Sequence, residues 1–215
     1  MVLEIKNIEQ AIGFPELADS LAIIRRNAPE CEGFFDLLLE RDFEVYGVAA
    51  CDRAEDYVNE LLRKALWSDV LHHRFFSHWI EDISLLCRLF GQLLNDSRIS
   101  LWLGTNRGCR RYHIDNVPMR LVVTYAGRGT EWLPEEAVDR EAYEAGLPNE
   151  NILVKPNIRQ WLEPWDVGIF KGGKDGVLHR TPDEAIYQRT ILLRIDHANY
   201  WDDITKEYYF EKQHA

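Results

Sequence analysis

The second half of the chain is built from short apolar runs separated by turn-forming residues. These runs occupy residues 99–103, 111–115, 120–125, 152–154, 158–162, 167–170 and 190–195, and Gly, Pro and Asn recur between them. Short strands at such close spacing indicate a β-sandwich or a small β-barrel. A glutamate-rich segment at about 134–145 predicts one helical insertion among the strands.

The first half instead carries helical periodicity. A helix is predicted to start at Pro29, and a second to follow Asp52 as its N-cap, with Glu55 completing a capping box. A long third helix is predicted over about 68–94, where apolar residues recur every three or four positions. Residues 44–49 read as a strand, whereas 20–25 fits a strand or a helical turn.

These patterns predict an α+β protein that forms a single domain over residues 1–215. Its mainly helical N-terminal part, residues 1–98, is expected to pack on a β core formed by residues 99–200. Residues 201–215 would form a C-terminal extension.

The charge balance limits the partners of the chain. Its 215 residues include 25 basic and 36 acidic side chains, a net charge of −11. A long-range field of this sign opposes broad binding to nucleic acid or to an anionic membrane, so we expect neither partner. Four arginines, at positions 107, 110, 111 and 120, nevertheless lie close together in the sequence and are compatible with a local basic pocket.

Targeting signals and cysteine pairs are not evident in the sequence. No apolar run approaches the roughly 18 residues that span a bilayer, and the N-terminus does not read as a secretory signal, which predicts a cytoplasmic protein. The four cysteines form no C-x-x-C pair, which argues against a disulfide framework or a zinc ribbon. Cys109 lies four residues before a histidine and is the one cysteine placed to be a ligand.

A candidate metal site is centred on His113 and Asp115. In an extended segment these residues project to the same side, so they present an imidazole and a carboxylate to one point. His179, which follows a predicted strand and a glycine-rich turn, is the best candidate for a third ligand. Two histidines and one carboxylate on one face form the ligand set of non-haem Fe(II) oxygenases.

Arg189 is a candidate for binding an anion beside that metal. It lies ten residues after His179 and precedes an apolar run in which Ile191, Leu193 and Ile195 share its face. We therefore expect Arg189 to point inward and Arg194 outward. A buried arginine needs an anion, which suggests a carboxylate ligand.

The spacing of the two histidines, the aspartate and the arginine is similar to that of known protein families. H-x-D at 113–115, a histidine 66 residues later and an arginine ten residues beyond resemble the Fe(II)/2-oxoglutarate-dependent oxygenase superfamily. More narrowly, residues 109–134, with the later segments 171–172 and 177–182, resemble a bacterial family known as a domain of unknown function. The likeness covers roughly residues 100–196.

The superfamily resemblance implies a double-stranded β-helix core, jelly-roll or cupin-like, under the helical half. It also implies a dioxygenase that uses Fe(II), with 2-oxoglutarate as co-substrate, to oxidise a C–H bond of a small molecule or a peptide side chain. His113, Asp115 and His179 would then be the iron ligands, and Arg189 would hold 2-oxoglutarate. The hydroxyl that many members place two residues after the arginine is here Ile191. Tyr125 or Thr124 is expected to replace it.

Two alternatives remain open at the level of sequence. Cys109 together with the three other ligands would form a closed, redox-inert zinc site, and the protein would then handle metal or hydrolyse a substrate. In the second alternative, His113 and Asp115 are a hydrogen-bonded pair at a strand end and Arg189 is a salt-bridge partner. Arg111 and Trp132 are candidates for substrate contacts, although Arg111 is equally suited to pairing with Asp115.

Overall fold

A computed structural model describes residues 1–174 and 176–205. The strands are β1 (Val2–Ile5), β2 (Leu21–Ile24), β3 (Glu44–Ala50), β4 (Arg98–Gly104), β5 (Met119–Ala126), β6 (Glu131–Trp132), β7 (Gln160–Trp161), β8 (Val167–Lys171), β9 (His179–Arg180) and β10 (Ile191–His197). The helices are α1 (Ile8–Ala11), α2 (Phe34–Leu39), α3 (Ala54–Ala65), α4 (Ser68–Leu71), α5 (Phe76–Leu94), α6 (Arg140–Glu144), α7 (Asn149–Ile152) and α8 (Glu184–Tyr187). Residues 200–205 are also helical, and the predicted C-terminal extension lies outside the described residues from position 206 onward.

The strands form a large sheet and a small one. The large sheet has the order β1-β2-β8-β5-β10-β4-β3, and the small sheet has the order β7-β6-β9. β1 pairs with β2 in parallel, and the other pairs of named strands in the described residues are antiparallel. The predicted α+β class is therefore confirmed in its general form, a mixed structure with a large sheet and packed helices.

One face of the large sheet is covered by the helices. Ile191, Leu193 and Ile195 of β10 are fully buried and belong to the same apolar cluster as Trp79 and Ile83 of α5. Burying an aliphatic side chain of this size contributes about 1.5–3 kcal/mol. The odd-numbered residues of β10 therefore fix which face of this strand meets the helical half.

The opposite face of the large sheet meets the small sheet. Leu21, Val122 and Phe170 of the large sheet pack with Trp132 of the small sheet in a second apolar cluster. Because side chains alternate along a strand, even-numbered residues of β5 and β10 face this second layer. A space between the two sheets is thus lined by side chains on the face opposite α5, and Tyr200 and Trp201 of the helical residues 200–205 also border it.

Some predicted elements differ in the structure. The long helix predicted over 68–94 is divided into α4 and α5, and Asp52 lies within a 3-10 turn that precedes α3 instead of capping it. Residues 111–115 form an isolated bridge instead of a strand. The amide nitrogens of Tyr112 and Ile114 donate to side-chain oxygens of Asn149 and Tyr143, so they do not enter a ladder. None of the described helices has the length and apolar character needed to cross a membrane.

Gly172 permits a close crossing of two chain segments beside the predicted metal ligands. A Cβ atom at this position would lie 1.9 Å from the carbonyl oxygen of Val117 and 2.5 Å from that of Asp115. Both oxygens belong to the backbone, which cannot move aside as a flexible side chain can. Gly172 also donates its amide hydrogen to the carbonyl oxygen of Pro118 at 3.2 Å.

We expect Gly172→Ala to lower the free energy of unfolding by about 2–4 kcal/mol, because the added methyl group forces these backbones apart. Gly13→Ala is the matched control, since a Cβ there meets nothing within 4 Å. Urea unfolding followed by circular dichroism compares the two variants. Equal stability of both would show that the crossing at Gly172 is not as close as described.

Candidate metal centre

Three side chains from two distant segments of the chain meet beside the small sheet. His113, Asp115 and His179 each offer one ligand atom, and these atoms all lie within 4.8 Å of one another. Asp115 and His179 are buried, whereas His113 is half-buried. The fold therefore brings together the three residues that the sequence predicts as metal ligands.

The backbone holds the two histidines side by side. The amide nitrogen of His113 donates to the carbonyl oxygen of His179 at 3.0 Å, and the amide nitrogen of His179 donates back to His113 at 3.1 Å. His179 lies in β9, which pairs with β6. The imidazole centroids are 4.6 Å apart. This reciprocal pairing sets the distance between the two rings.

Hydrogen bonds also select the tautomer of each histidine. Nδ1 of His113 donates to the carbonyl oxygen of Arg111 at 2.9 Å, and Nδ1 of His179 donates to that of Val177 at 3.0 Å. With the proton on Nδ1, the lone pair of a neutral imidazole lies on Nε2. Each histidine thus turns a ligand atom toward Asp115, the arrangement that metal-bound histidines adopt.

Asp115 lies between the two imidazoles. Its Oδ1 is 3.6 Å from Nε2 of His113, and its Oδ2 is 3.1 Å from Nε2 of His179. Oδ2 is buried without a hydrogen-bond partner of good geometry. Ligand atoms in neighbouring positions around a divalent metal are about 3 Å apart. The donor types and their spacing therefore fit a metal ion bound by three residues.

The carboxylate of Asp115 is kept ionised. Burial alone would raise its pKa, but the adjacent imidazoles of His113 and His179 and the positive charge of Arg120 hold that pKa well below its usual range. Arg120 donates to Asp115 through Nη1. The carboxyl group is thus in the form that binds a cation.

A chain of ion pairs continues from Asp115 across the large sheet. Nε of Arg120 donates to Asp196 at 2.7 Å, and Nε of Arg194 lies 3.1 Å from the other oxygen of Asp196. Burial raises the pKa of Asp196, although both arginines oppose that effect. The Asp196 carboxylate is shared between Arg120 and Arg194, so neither guanidinium has it alone.

The three predicted ligands lie at the edge of a cavity of about 480 Å³ between the sheets. A volume of this size is typical of sites for small molecules. The rest of the lining includes a basic group and an aromatic and apolar group, together with Glu44, Cys109 and a few uncharged polar residues. These residues include Arg107, Arg120, Arg180, Arg194, Trp102, Tyr200, Trp201, Val122 and Leu192.

Arg189 and Tyr125 do not line this cavity, and Arg189 does not point inward as expected from the sequence. Arg189 is exposed, and its Nε donates to Asp42 at 2.7 Å, as the salt-bridge alternative expects. Tyr125 is buried on the helical face and donates to Asp82 at 2.8 Å. The cavity lies on the face opposite the helices, so Arg194, which was expected to point outward, is the β10 arginine that lines it.

The other predicted contacts are also placed by the structure. Arg111 lies outside the cavity and donates to the carbonyl oxygen of Gly146 at 2.9 Å. Trp132 is buried between the sheets, next to the cavity but not in its lining. Cys109 lines the cavity, yet it is not part of the ligand group found among the described residues. Four-ligand zinc coordination through Cys109 is therefore not supported by this arrangement.

A buried carboxylate, Glu131, holds the chain neighbours of both histidines in place. Glu131 accepts hydrogen bonds from the hydroxyl of Tyr112 and, at 3.0 Å, from Nη2 of Arg180. Tyr112 precedes His113 in the chain, and Arg180 follows His179. Burial and the Glu131 carboxylate raise the pKa of Tyr112, which therefore stays protonated and donates. Sequence reasoning missed Glu131, for which only its place in an apolar β segment was a signal.

The fold and the three-residue group describe a mixed α+β protein with the ligands for one metal ion. A family model described as "Protein of unknown function (DUF1826)" matches residues 16–196, and the chain belongs to this family. The predicted resemblance to a family of unknown function is thereby confirmed. No curated protein matches the chain.

Several solved structures are similar to the chain at low identity, and two of those described next are named as oxygenases. One is a selenomethionine-labelled Fe(II)/(alpha)ketoglutarate-dependent dioxygenase, TqaL, with 10% identity, a TM-score of 0.44, and 88% and 87% of the two chains covered. A putative oxygenase from Shewanella oneidensis has 10% identity, a TM-score of 0.39, and 92% and 90% coverage. IDO from Bacillus thuringiensis has 13% identity, a TM-score of 0.41, and 89% and 99% coverage.

The three-residue site predicts one divalent metal ion per chain. We expect Ala at His113, Asp115 or His179 to weaken Co(II) binding more than about 100-fold, because each residue supplies a ligand atom. His78→Ala, an exposed histidine on α5, and Cys109→Ala serve as controls with unchanged affinity. Anaerobic titration followed by absorption measures binding. Loss of binding in Cys109→Ala would add a fourth ligand and contradict the assignment.

Removing the charge of Glu131 should weaken metal binding without touching a ligand. Glu131→Gln is expected to lower Co(II) affinity by about 10–100-fold, because Tyr112 and Arg180 then hold the two histidines less firmly. The exposed Glu136→Gln is the control. Affinities are compared at a temperature at which circular dichroism shows both variants folded. If folded Glu131→Gln binds Co(II) with unchanged affinity, the hydrogen bonds of Glu131 with Tyr112 and Arg180 contribute to stability alone and not to metal binding.

Proposed function

We propose that this protein is a mononuclear non-haem iron oxygenase that uses 2-oxoglutarate and dioxygen to oxidise a C–H bond of a small molecule. The observation that carries the proposal is the convergence of two imidazole Nε2 atoms and one carboxylate at the edge of a cavity. Three protein ligands on one side leave coordination positions for small ligands on the other. The metal ligands in this proposal are His113, Asp115 and His179.

The two sheets are proposed to form a double-stranded β-helix core. The large and small sheets pack face to face through Val122, Phe170 and Trp132, and the cavity lies between them. His179 belongs to the small sheet, whereas Asp115 is tied through Arg120 to the large one. In this arrangement the predicted metal ligands are held by both sheets.

The protein supplies orientation and charge in this proposal. Fe(II), when bound, would supply the dioxygen chemistry that no side chain of the cavity offers. The Nδ1 hydrogen bonds of His113 and His179 hold both rings in the ligating tautomer. Arg120 keeps Asp115 ionised and fixes its position. Trp102, Val122 and Leu192 add an apolar wall to the cavity.

Arg194 is the residue proposed to hold the far carboxylate of 2-oxoglutarate. Its guanidinium lies 4.7 Å from the ring centroid of Tyr200 and 5.4 Å from that of Trp201, and its Nε lies 3.1 Å from Asp196, so the Nη groups are the donors proposed for an anion. Burial and the neighbouring Arg120 lower the pKa of Arg194. A guanidinium edge matches a carboxylate through two parallel hydrogen bonds.

We expect a weak visible absorption band when Fe(II) and then 2-oxoglutarate are added anaerobically to the metal-free protein. Arg194→Gln should raise the 2-oxoglutarate concentration needed for half of this band by roughly tenfold or more, because a charge-assisted pair is lost. Arg189→Gln is the matched control and should behave as wild type, since Arg189 pairs with Asp42 away from the cavity.

Two results would contradict the proposal. An absent band, together with stoichiometric binding of Zn(II), would favour a redox-inert zinc protein or a hydrolase. A normal band in Arg194→Gln that is lost in Arg189→Gln would return the co-substrate role to the residue first expected from the sequence.

A further inference from the structure

Four arginines line the cavity, and two of them have well-placed carboxylate partners. Arg120 pairs with Asp115 and Asp196, and Arg180 pairs with Glu131 and Asp183. Arg194 shares Asp196 with Arg120. Arg107 has no ion pair with a carboxylate in the part of the chain that the structure describes. The cavity therefore presents two cations whose charge is incompletely balanced, Arg194 and Arg107.

Arg107 is held by a neutral neighbour. It follows β4 in the loop that leads to the metal ligands, and its Nη1 donates to the hydroxyl of Thr124 at 3.3 Å. Its Nε is inaccessible to solvent and has no hydrogen-bond partner. Burial lowers the pKa of Arg107 to about 10. A desolvated guanidinium with unused donors is costly unless an anion binds it.

Arg107 and Arg194 neighbour different residues of β5. Arg107 contacts Thr124 of β5, whereas Arg194 is the register partner of Val122, two residues away. Arg194 is linked to the predicted ligand Asp115 through Asp196 and Arg120, whereas Arg107 is anchored on Thr124. The two cations are therefore held by different partners, which supports a separate anion position for each.

The wall of the cavity near these positions is apolar. Trp102, Val122 and Leu192 line it, and Leu192 is the register partner of Thr124. Glu44 also borders the cavity, but it is exposed and accepts a hydrogen bond from Asn106 at 3.0 Å, so its charge faces solvent. A ligand held at Arg107 would lay an apolar body against this wall.

We infer that Arg107 binds the acidic group of the primary substrate, which is a small organic acid, carboxylate or phosphate, with an apolar body. This inference rests on the proposed function, in which 2-oxoglutarate occupies Arg194. A cavity of about 480 Å³ that also holds the co-substrate leaves room for a small acid but not for a folded partner.

The experiment uses three probes with the same ring, phenylacetate, phenyl phosphate and neutral phenylacetamide. Each is titrated by calorimetry into the full chain loaded with Zn(II) and 2-oxoglutarate, which fill the metal and co-substrate positions without turnover. We expect at least one acid to bind wild type more tightly than the amide. Arg107→Gln should weaken that acid by roughly tenfold or more and leave the amide unchanged.

Two further variants separate charge from folding. Arg107→Lys keeps the charge but not the fork of donors and should bind the acid with intermediate affinity. Arg98→Gln removes the same charge from an exposed position at the other end of β4 and should bind as wild type. The tighter of the two acids identifies carboxylate or phosphate as the preferred group.

The outcomes distinguish this inference from the proposed function. Equal acid binding by wild type and Arg107→Gln, or no preference of wild type for either acid over the amide, overturns the role of Arg107. If Arg107→Gln instead loses the Fe(II)–2-oxoglutarate absorption band, Arg107 serves the co-substrate and the inference is wrong. If wild type gives no band, the proposed function fails, and the same titrations on metal-free protein decide acid binding at Arg107 by themselves.

Discussion

The backbone pairing of His113 with His179 is the interaction on which the candidate centre depends. It joins a loop that precedes β5 to the two-residue strand β9, and each histidine donates one hydrogen bond and accepts one. A single bridge is weak by itself, since a hydrogen bond contributes about 1 kcal/mol net. The bridge persists because its neighbours are anchored, Tyr112 and Arg180 by Glu131 and the chain beyond Asp115 by the crossing at Gly172.

Charge is distributed unevenly in this protein. The chain carries a net charge of −11, yet the cavity is lined by four arginines. Two of these are committed to buried carboxylates, and removing one partner of such a pair typically costs 3–5 kcal/mol. Arg120 and Arg180 are therefore needed for the structure of the site. Arg194 only shares Asp196 with Arg120, and Arg107 has no carboxylate partner among the described residues, so these two guanidinium groups are less fully paired than those of Arg120 and Arg180.

The structure brings together the three residues grouped from the sequence but places Arg189 and Tyr125 away from the cavity, and one physical cause explains both results. His113 and Asp115 are two residues apart, so they share a side whichever face of the sheet they meet. Arg189 and Tyr125 required knowledge of which face of β10 and β5 borders the cavity. The alternation of Ile191, Leu193 and Ile195 identifies a buried face, but not whether helices or the second sheet cover it.

The helical half determines which face of β10 and β5 borders the cavity. It is apolar enough to cover the whole face formed by Ile191, Leu193 and Tyr125, which leaves no space there for a ligand. The cavity must then form on the other face, where Leu192, Arg194 and Thr124 point. Thr124, the second hydroxyl considered from the sequence, lies on this face and contacts Arg107. Residues that are adjacent in β5 or β10 therefore face opposite sides of the sheet, which is why the residues expected from the sequence and those found at the cavity differ.

The aromatic residues around Arg194 give a reason why a cation can remain there without a carboxylate of its own. Rings of Trp102, Tyr200 and Trp201 lie 4.7–5.9 Å from its guanidinium carbon and attract the positive charge through their faces. Stacking satisfies the faces of a guanidinium but not its in-plane N–H groups, which need acceptors. Arg107 has no such rings among its described contacts; its Nη1 donates to Thr124, and its buried Nε has no hydrogen-bond partner. The two arginines should therefore differ in selectivity, with Arg194 suited to a carboxylate fitted between rings and Arg107 to an anion of less restricted shape.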